Sequence, residues 1–376
     1  MSMPSACSPT WIVRVLVLTP DFPPSPGGIQ RLVQRLASSW HDVDARVLTS
    51  AHTGHSPREP AQRWSVRSVG TRGPFGRRSR LAILNVMALL ETRRFRPDIV
   101  LSCHAVTAPA AWTLSRVLGL PYLQYVYGKE VVHRPHLSRF AVRHAAGVIA
   151  ISRYTCSLIE PWIDPKALHL IPPGVDLPPF HGRRSASRPT IITVGRLVDR
   201  YKGHDVMMQA LPVLARRIPN IEWVVVGDGP LRPTYERMMR QLNLGGSVRF
   251  LGALDDAARD QWLDQAHVFA LPARLSPSGA GEGFGIVYLE AGAHHLPVVA
   301  GKLAGAVDAV IDGVTGVLVD PSSPDAVADA LAGLLLDPVH ARSLGDAGAA
   351  HAGEFAWPAV ARRVELLMQR VVSRAA

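Results

Sequence analysis

Two loops of this chain carry residue types suited to a diphosphate. The segment Gly195-Arg196-Leu197-Val198-Asp199-Arg200-Tyr201-Lys202-Gly203 sets an arginine directly after an apolar run and a lysine just before an amphipathic stretch. Arginine grips phosphate oxygens bidentately and lysine acts as a compact point charge, so the pair matches the roughly two negative charges of a diphosphate. Upstream, the segment from Thr19 to Gln30 ends in Gly27-Gly28-Ile29-Gln30. Paired glycines ahead of a helix let the backbone approach an anion, and the helix start offers N–H donors. Four prolines in the same segment make a plain tight turn the competing reading.

The richest segment runs from Pro272 to Gly301. A polar loop, Ala273 to Gly281, leads into Glu282-Gly283-Phe284-Gly285-Ile286-Val287-Tyr288-Leu289-Glu290-Ala291. Two acids eight positions apart suggest a glycosidase pair, but one at a helix start and one two turns inside cannot easily flank a single bond. A bound polyol fits better, because carboxylates accept hydrogen bonds from neighbouring hydroxyls. The backbone N–H groups of Phe284, Gly285 and Ile286 fall at the helix N-terminus, ready for phosphate.

Other chemistry is poorly represented. No G-x-G-x-x-G follows a predicted strand, and Gly227-Asp228-Gly229-Pro230 keeps only two glycines before a proline, which reads as a turn. Cys7, Cys103 and Cys156 offer neither a disulfide framework nor zinc spacing. Asp42-Val43-Asp44 reads as a solvated turn, and His294-His295 as the end of a helix whose dipole suits imidazole. No metal site and no bound cofactor are expected. His104 follows a predicted strand and is a candidate for the wall of a second-substrate pocket.

Of the elements that must position these residues, the strands are legible as short apolar runs. In the first half they are Val13–Thr19, Ala45–Thr49, Asp98–Ser102, Tyr122–Val126 and Gly147–Ile151, with helical patterns at Ile29–Ser39 and Leu81–Arg94. A punctuated stretch from Pro172 to Pro189 reads as a linker. The pattern then restarts, with strands at Thr190–Val194, Ile221–Val226, Val248–Leu251, His267–Leu271, Pro297–Ala300 and Gly316–Val319, and helices between them. Alternating strand and helix predicts an α/β protein of two Rossmann-like parallel-sheet domains, residues 1–180 and 181–357, facing across a cleft. Ligands of open α/β sheets bind beyond the strands' C-terminal ends, so the two loops should meet in that cleft.

Composition bounds the rest. The 376 residues are 47% hydrophobic and 19% charged, which supports sizeable cores and excludes wholesale disorder. The apolar run Leu81–Leu90 is about ten residues, too short to span a bilayer. Trp11–Thr19 carries Arg14 and reads as a first core strand, not a signal peptide. The chain is therefore expected in the cytoplasm. Of the net charge of +11, the stretch Arg58–Arg96 supplies +8, from ten arginines against Glu59 and Glu91. No DNA- or RNA-binding signature accompanies it, so nucleic acid is not an expected partner. An anionic membrane surface and a solvated face remain as readings.

Taken together, the two halves, the Arg196/Lys202 loop and the Glu282…Glu290 segment resemble retaining glycosyltransferases of the GT-B fold, in glycosyltransferase family 4. Asp21-Phe-Pro-Pro-Ser-Pro-Gly-Gly-Ile-Gln30 and Glu282-Gly-Phe-Gly-Ile-Val-Tyr-Leu-Glu-Ala291 most resemble the actinobacterial phosphatidylinositol mannoside mannosyltransferases. The resemblance implies a metal-independent hexosyltransferase whose UDP- or GDP-linked sugar donor is a substrate and not a cofactor. Arg196 and Lys202 would neutralise the diphosphate, Glu290 would hold the ribose, and Glu282 with the Phe284 and Gly285 backbone would hold the sugar. Gly27 and Gly28 would close over the phosphates, and the backbone near Arg249 would read the base. A C-terminal helix, 358–376, would cross back onto the first domain.

Tyr127 stands where the family often has a histidine beside the transferred sugar, with Lys129 and Glu130 following on the acceptor side. Leu303-Ala304-Gly305-Ala306-Val307 likewise departs from a common family turn. The resemblance leaves two hydroxyl acceptors: a membrane glycolipid such as a phosphatidylinositol mannoside, or a soluble small molecule of the aminoglycoside type. An epimerase or hydrolase on the same fold is a further alternative. Arg77, Arg78 and Arg80, ahead of Leu81–Leu90, resemble the basic patch by which lipid mannosyltransferases hold an anionic membrane, which would place the protein at the inner face of the cell membrane.

Overall fold

A computed structural model describes residues 12–23, 27–50, 63–69, 77–179 and 186–375, residues 77 and 78 by backbone alone. Cys7, Trp11, the loop residues 24–26, Arg58, Arg72 and the linker residue Gly182 lie outside the described residues, as do the side chains of Arg77 and Arg78. In the first lobe the strands are β1 (Val13–Thr19), β2 (Val43–Thr49), β3 (Trp64–Ser68), β4 (Ile99–Ser102), β5 (Tyr122–Val126), β6 (Gly147–Ala150) and β7 (Leu168–Leu170). They form one sheet in the order β3-β2-β1-β4-β5-β6-β7, all parallel. Its helices are α1 (Gly28–Ser39), α2 (Arg77–Phe95), α3 (Ala108–Leu118), α4 (Lys129–His133), α5 (Pro135–Arg143) and α6 (Arg153–Ile159).

The second lobe repeats the plan. Its strands are β8 (Thr190–Val194), β9 (Glu222–Val226), β10 (Val248–Gly252), β11 (Val268–Leu271), β12 (Val298–Gly301) and β13 (Gly316–Val319), parallel in the order β10-β9-β8-β11-β12-β13. The helices are α7 (His204–Arg217), α8 (Arg232–Gln241), α9 (Asp256–Gln265), α10 (Ile286–Ala293), α11 (Ala306–Ala309), α12 (Pro324–Leu336), α13 (Pro338–Gly353) and α14 (Trp357–Ala375).

The strands form because runs such as Val-Arg-Val-Leu-Val-Leu-Thr bury both faces under crossover helices, as parallel sheets require. In each sheet the order reverses once, between β1 and β4 and between β8 and β11. Crevices open at these switch points, and the Gly27-Gly28, Arg196–Lys202 and Glu282–Gly285 loops all begin there.

Elements with weak patterns were not expected from the sequence. Strand β3 falls inside the arginine-rich stretch, where alternating polar residues hide an edge strand with only half-buried side chains. That stretch is also less of a free basic face than its charge count implies. Glu91 of α2 is 0% exposed and receives Arg67 at 2.7 Å, together with Arg46 from outside the stretch. Burying a charged carboxylate is costly unless it is paired or hydrogen-bonded, and Glu91 is paired twice.

The chain returns to the first lobe at its end. Trp357 lies over Gly174, where an added Cβ would come within 2.4 Å of the indole, and the Val175 amide donates to the Phe355 carbonyl at 2.9 Å. Helix α14 then packs on α1 through a stripe of Val360, Val364, Leu367 and Val371. Phe284, Phe355, Trp357, Tyr127 and Ile151 belong to one continuous apolar core shared by the two lobes.

Candidate active site

The loops after β8 and β11 are locked together by one residue. Gly203 has φ +79°, and an added Cβ there would sit 2.1 Å from the Pro272 carbonyl oxygen. Only glycine allows both the backbone conformation and the approach. The contact brings the ends of the two loops side by side, and Lys202 Nζ lies 2.9 Å from Glu282 Oε2, both side chains mostly sheltered. Arg196 is exposed and forms no ion pair with any described residue. Two cations at the mouth of a crevice, one uncompensated, favour an anion there.

The first lobe closes over this pair. Gly283 has no side chain, and a Cβ on it would lie 2.5 Å from the Tyr127 carbonyl oxygen. Gly28, which starts α1, faces Ile286 at the start of α10, with 3.9 Å between its would-be Cβ and Ile286 Cδ1. Gly27 caps α1, Gly285 caps α10 in a left-handed conformation, and Phe284 is buried beside it. The structure thus gathers Gly27, Gly28, Arg196, Lys202, Glu282, Phe284, Gly285 and Ile286 around one cleft.

Glu290 is reached from across the cleft by a residue that sequence patterns did not single out. Arg31 Nη1 donates to Glu290 Oε1 at 2.9 Å, and its other nitrogen pairs with Asp256 of α9. Arg259 stands 3.7 Å from the same Glu290 oxygen and 3.0 Å from Asp256. The only sequence signal for Arg31 is its place one turn after Gly28, on the same side of α1.

Tyr127 is 6% exposed, its ring stacked on Tyr125 with centroids 5.7 Å apart, and its hydroxyl has no hydrogen-bond partner among the described residues. Burial, with Cys103, Tyr125 and Glu130 nearby, pushes its phenol well above the usual range, so it can donate a hydrogen bond but not titrate near neutrality. The Glu130 carboxylate is not presented to an acceptor. It turns back to accept the Tyr127 N–H at 2.6 Å, and burial raises its pKa although that bond opposes the shift.

Lys129 likewise does not project freely, because it reaches across the cleft to both Asp199 oxygens at 2.8 and 2.9 Å. His104 caps the turn after β4, its Nδ1 accepting the Val106 N–H at 3.2 Å. Arg249 lies on β10, where the backbone and not this side chain is expected to read the base. It pairs with Glu222, at the far end of β9 from the cleft, at 2.7 Å and lies over the Trp262 ring at 4.9 Å. A long side chain on an edge strand finds the nearest carboxylate and aromatic face, which strand position alone does not reveal. Helix α2 does begin at Arg77, and Arg80 is half-buried in its first turn. Among the described residues no three His, Cys, Asp or Glu side chains gather as a metal site, and no helix is long and apolar enough to cross a membrane.

Residues 26–178 match the family described as Glycosyltransferase Family 4, and residues 179–351 that described as Glycosyl transferases group 1. A GDP-mannose-dependent alpha-(1-6)-phosphatidylinositol monomannoside mannosyltransferase of Mycolicibacterium smegmatis is 32% identical over 337 residues, covering 81% of this chain and 85% of that protein. The chain belongs to glycosyltransferase family 4. A second family member, the monoacylated-substrate mannosyltransferase of Corynebacterium glutamicum, is 30% identical and covers 95% of this chain and 98% of its own. Among solved structures, sucrose-phosphate synthase from Thermosynechococcus elongatus superposes with a TM-score of 0.80 at 22% identity, over 96% of this chain and all of that one. That likeness establishes the GT-B fold. The chain is a glycosyltransferase, and its two sheets are the two lobes of that fold.

Proposed function

We propose that this glycosyltransferase moves a hexosyl group from a nucleoside-diphosphate sugar to a hydroxyl acceptor, with retention at the anomeric carbon and without a metal or other cofactor. The observation that carries this reading is the meeting of Lys202 and Glu282 at 2.9 Å beside the exposed Arg196, at the C-terminal ends of β8 and β11. Arg196 and Lys202 offset the diphosphate charge, and Glu282 accepts hydrogen bonds from sugar hydroxyls. Glu290 holds the ribose once Arg31 yields Oε1. The Phe284 to Ile286 backbone at the start of α10 supplies further N–H donors.

In the transfer, the bond from C1 to the diphosphate oxygen breaks and its electron pair leaves with the diphosphate. The acceptor oxygen bonds C1 on the same face, and its proton passes to the departing diphosphate oxygen. No protein nucleophile is required. Positioning and charge stabilisation supply the acceleration, with about 10²–10³ in kcat expected for each charged donor removed. GDP-mannose is the first donor to test, because the two relatives described above are named for it. The same names favour a phosphatidylinositol mannoside as acceptor. Exposed Val86 and Leu90 on α2 suit a peripheral seat on the cytoplasmic membrane face.

The test is a thermal-shift series with UDP, GDP, ADP, TDP and NAD in EDTA, beside the Arg196→Ala/Lys202→Ala double variant. A ligand at about 100 times its Kd adds about 2.7 kcal/mol, a visible rise in melting temperature. One nucleoside diphosphate should stabilise the wild type and not the variant. Stabilisation only with metal, or only by NAD, would refute the reading. NMR of the product with the matching donor sugar then reports the anomeric configuration, and inversion would remove the retaining mechanism.

A further inference from the structure

The loop that leads into Glu282 is held from the other lobe. Its turn, residues 276–280, closes on itself. The Gly279 N–H donates to the Ser276 carbonyl at 2.8 Å, and the Ser276 N–H to the Ala280 carbonyl at 2.7 Å. The Gly279 carbonyl accepts from across the cleft, where Tyr154 Oη of α6 donates to it at 2.6 Å. Burial raises the Tyr154 pKa, and the Gly281 N–H, acting on the same oxygen, opposes that shift. One hydroxyl thus meets the residues on either side of Ala280, and Gly281 directly precedes Glu282.

The first lobe fixes Tyr154 in place. Ser152 caps α6 in a capping box with the buried Thr155, which sets the direction of the helix start. The Tyr154 ring lies against Gly128, where an added Cβ would stand 3.4 Å from Cε1. Gly128 follows Tyr127, whose carbonyl crowds Gly283. Beside Tyr154, the Arg153 N–H donates to Asp308 of α11 at 2.8 Å, and the Arg153 guanidinium pairs with the same carboxylate at 3.2 Å. The start of α6 therefore meets the second lobe twice, at the loop before Glu282 and at α11.

Glu282 needs such an anchor. It stands between Gly281 and Gly283, and a glycine-flanked backbone loses more freedom on ordering than any other. Its carbonyl accepts the Gly305 N–H at 2.9 Å, which fixes the downstream side. The bridge from Tyr154 fixes the upstream side.

We propose that Tyr154 is a positioning residue for Glu282: its hydroxyl, gripping the loop across the closed cleft, sets the carboxylate where the donor sugar is held. The proposal rests on the reading above, in which Glu282 accepts hydrogen bonds from sugar hydroxyls. Tyr154 acts through the loop and not on the sugar or the diphosphate, so its loss should slow turnover and leave nucleotide affinity alone.

The test compares Tyr154→Phe with wild type, alone and in a Glu282→Gln background, with GDP-mannose and a phosphatidylinositol monomannoside as substrates. In Tyr154→Phe, kcat should fall about tenfold, the rate equivalent of one hydrogen bond, while the Kd for GDP changes less than about twofold. In the Glu282→Gln background the same substitution should cost less than about twofold, because residues acting through one contact are not additive. Arg153→Ala removes the neighbouring ion pair and should keep the wild-type rate, which separates the loop from lobe docking in general. Hydrogen exchange over residues 279–283 should quicken in Tyr154→Phe and not in Arg153→Ala. A wild-type rate in Tyr154→Phe overturns the proposal, as does an equal loss in both backgrounds or an equal loss in Arg153→Ala. A wild type that does not turn over these substrates, or a fully active Glu282→Gln variant, strikes instead the reading on which the proposal rests. Unchanged exchange in Tyr154→Phe overturns the proposal in either case.

Discussion

Tyr127 illustrates how a single side chain can be costly to the fold and useful to the reaction. Its hydroxyl is buried with no protein partner, and an unsatisfied buried donor costs about 1–3 kcal/mol. Tyr127→Phe should therefore melt no lower than wild type, and its unfolding free energy should rise by up to about 1 kcal/mol in urea titrations. Turnover should fall in the same variant if the hydroxyl donates to the sugar. A variant less stable and equally active would assign the hydroxyl no substrate. Arg196, Lys202 and Glu282 could be placed at the cleft from the sequence because each lies in a loop that follows a strand whose end the apolar runs give. Arg31 could not, because its partner Glu290 stands 259 positions away, and only the closed cleft makes them neighbours. For a related reason residue type did not reveal where the side chains of Arg249 and Glu130 turn: the nearest partner, Glu222 in one case and the Tyr127 amide in the other, decided that.

At the scale of elements, the joint between the lobes is built from backbone. An alanine at Gly283 would put its Cβ 2.5 Å from the Tyr127 carbonyl oxygen, and neither backbone can yield without moving a lobe. Gly283→Ala should keep its circular dichroism spectrum, lose about tenfold or more in kcat, and show a larger radius of gyration in solution scattering. The start of α7 gives a second prediction. His204 is 1% exposed, stacked near Tyr235, and both ring nitrogens lack partners among the described residues. Burial, helped by the charge of Lys202, pulls its pKa from 6.5 down to about 3. Between those values the unfolded chain binds a proton that the folded chain does not. Stability is thus fully present above about pH 6.5 and falls by about 1.4 kcal/mol per unit as pH drops toward 3. His204→Leu should flatten that slope in urea midpoints measured from pH 7 to 4. Strongly periodic strands and helices were readable almost to the residue, as with β1, β8 and α1. Edge strand β3, the short α4–α6 run and α13 were not, because small, polar or arginine-rich sequences take their structure from what they pack against.

Across the whole molecule, the repeat of apolar run and amphipathic stretch was enough to predict two parallel sheets facing a cleft. What it could not convey is how the lobes are joined, since shared cores and cross-cleft ion pairs have no local signature. Helix α14 follows the second lobe in sequence and packs on the first in space. A chain ending at Ala356 should expose the apolar side of α1 and part of the shared core, and so melt well below full length or aggregate on purification. Retention of the full-length melting temperature would show the α1–α14 contact to be dispensable. The same helix bears on how such enzymes diversify. A recombination that replaced the second half to acquire a different donor would bring a foreign α14 with it, and that helix would have to fit a resident α1 it had never met. The seam far from the chemistry therefore acts as a compatibility check on exchange, and viable chimaeras should be those that import the donor half but keep the nineteen residues of the native helix.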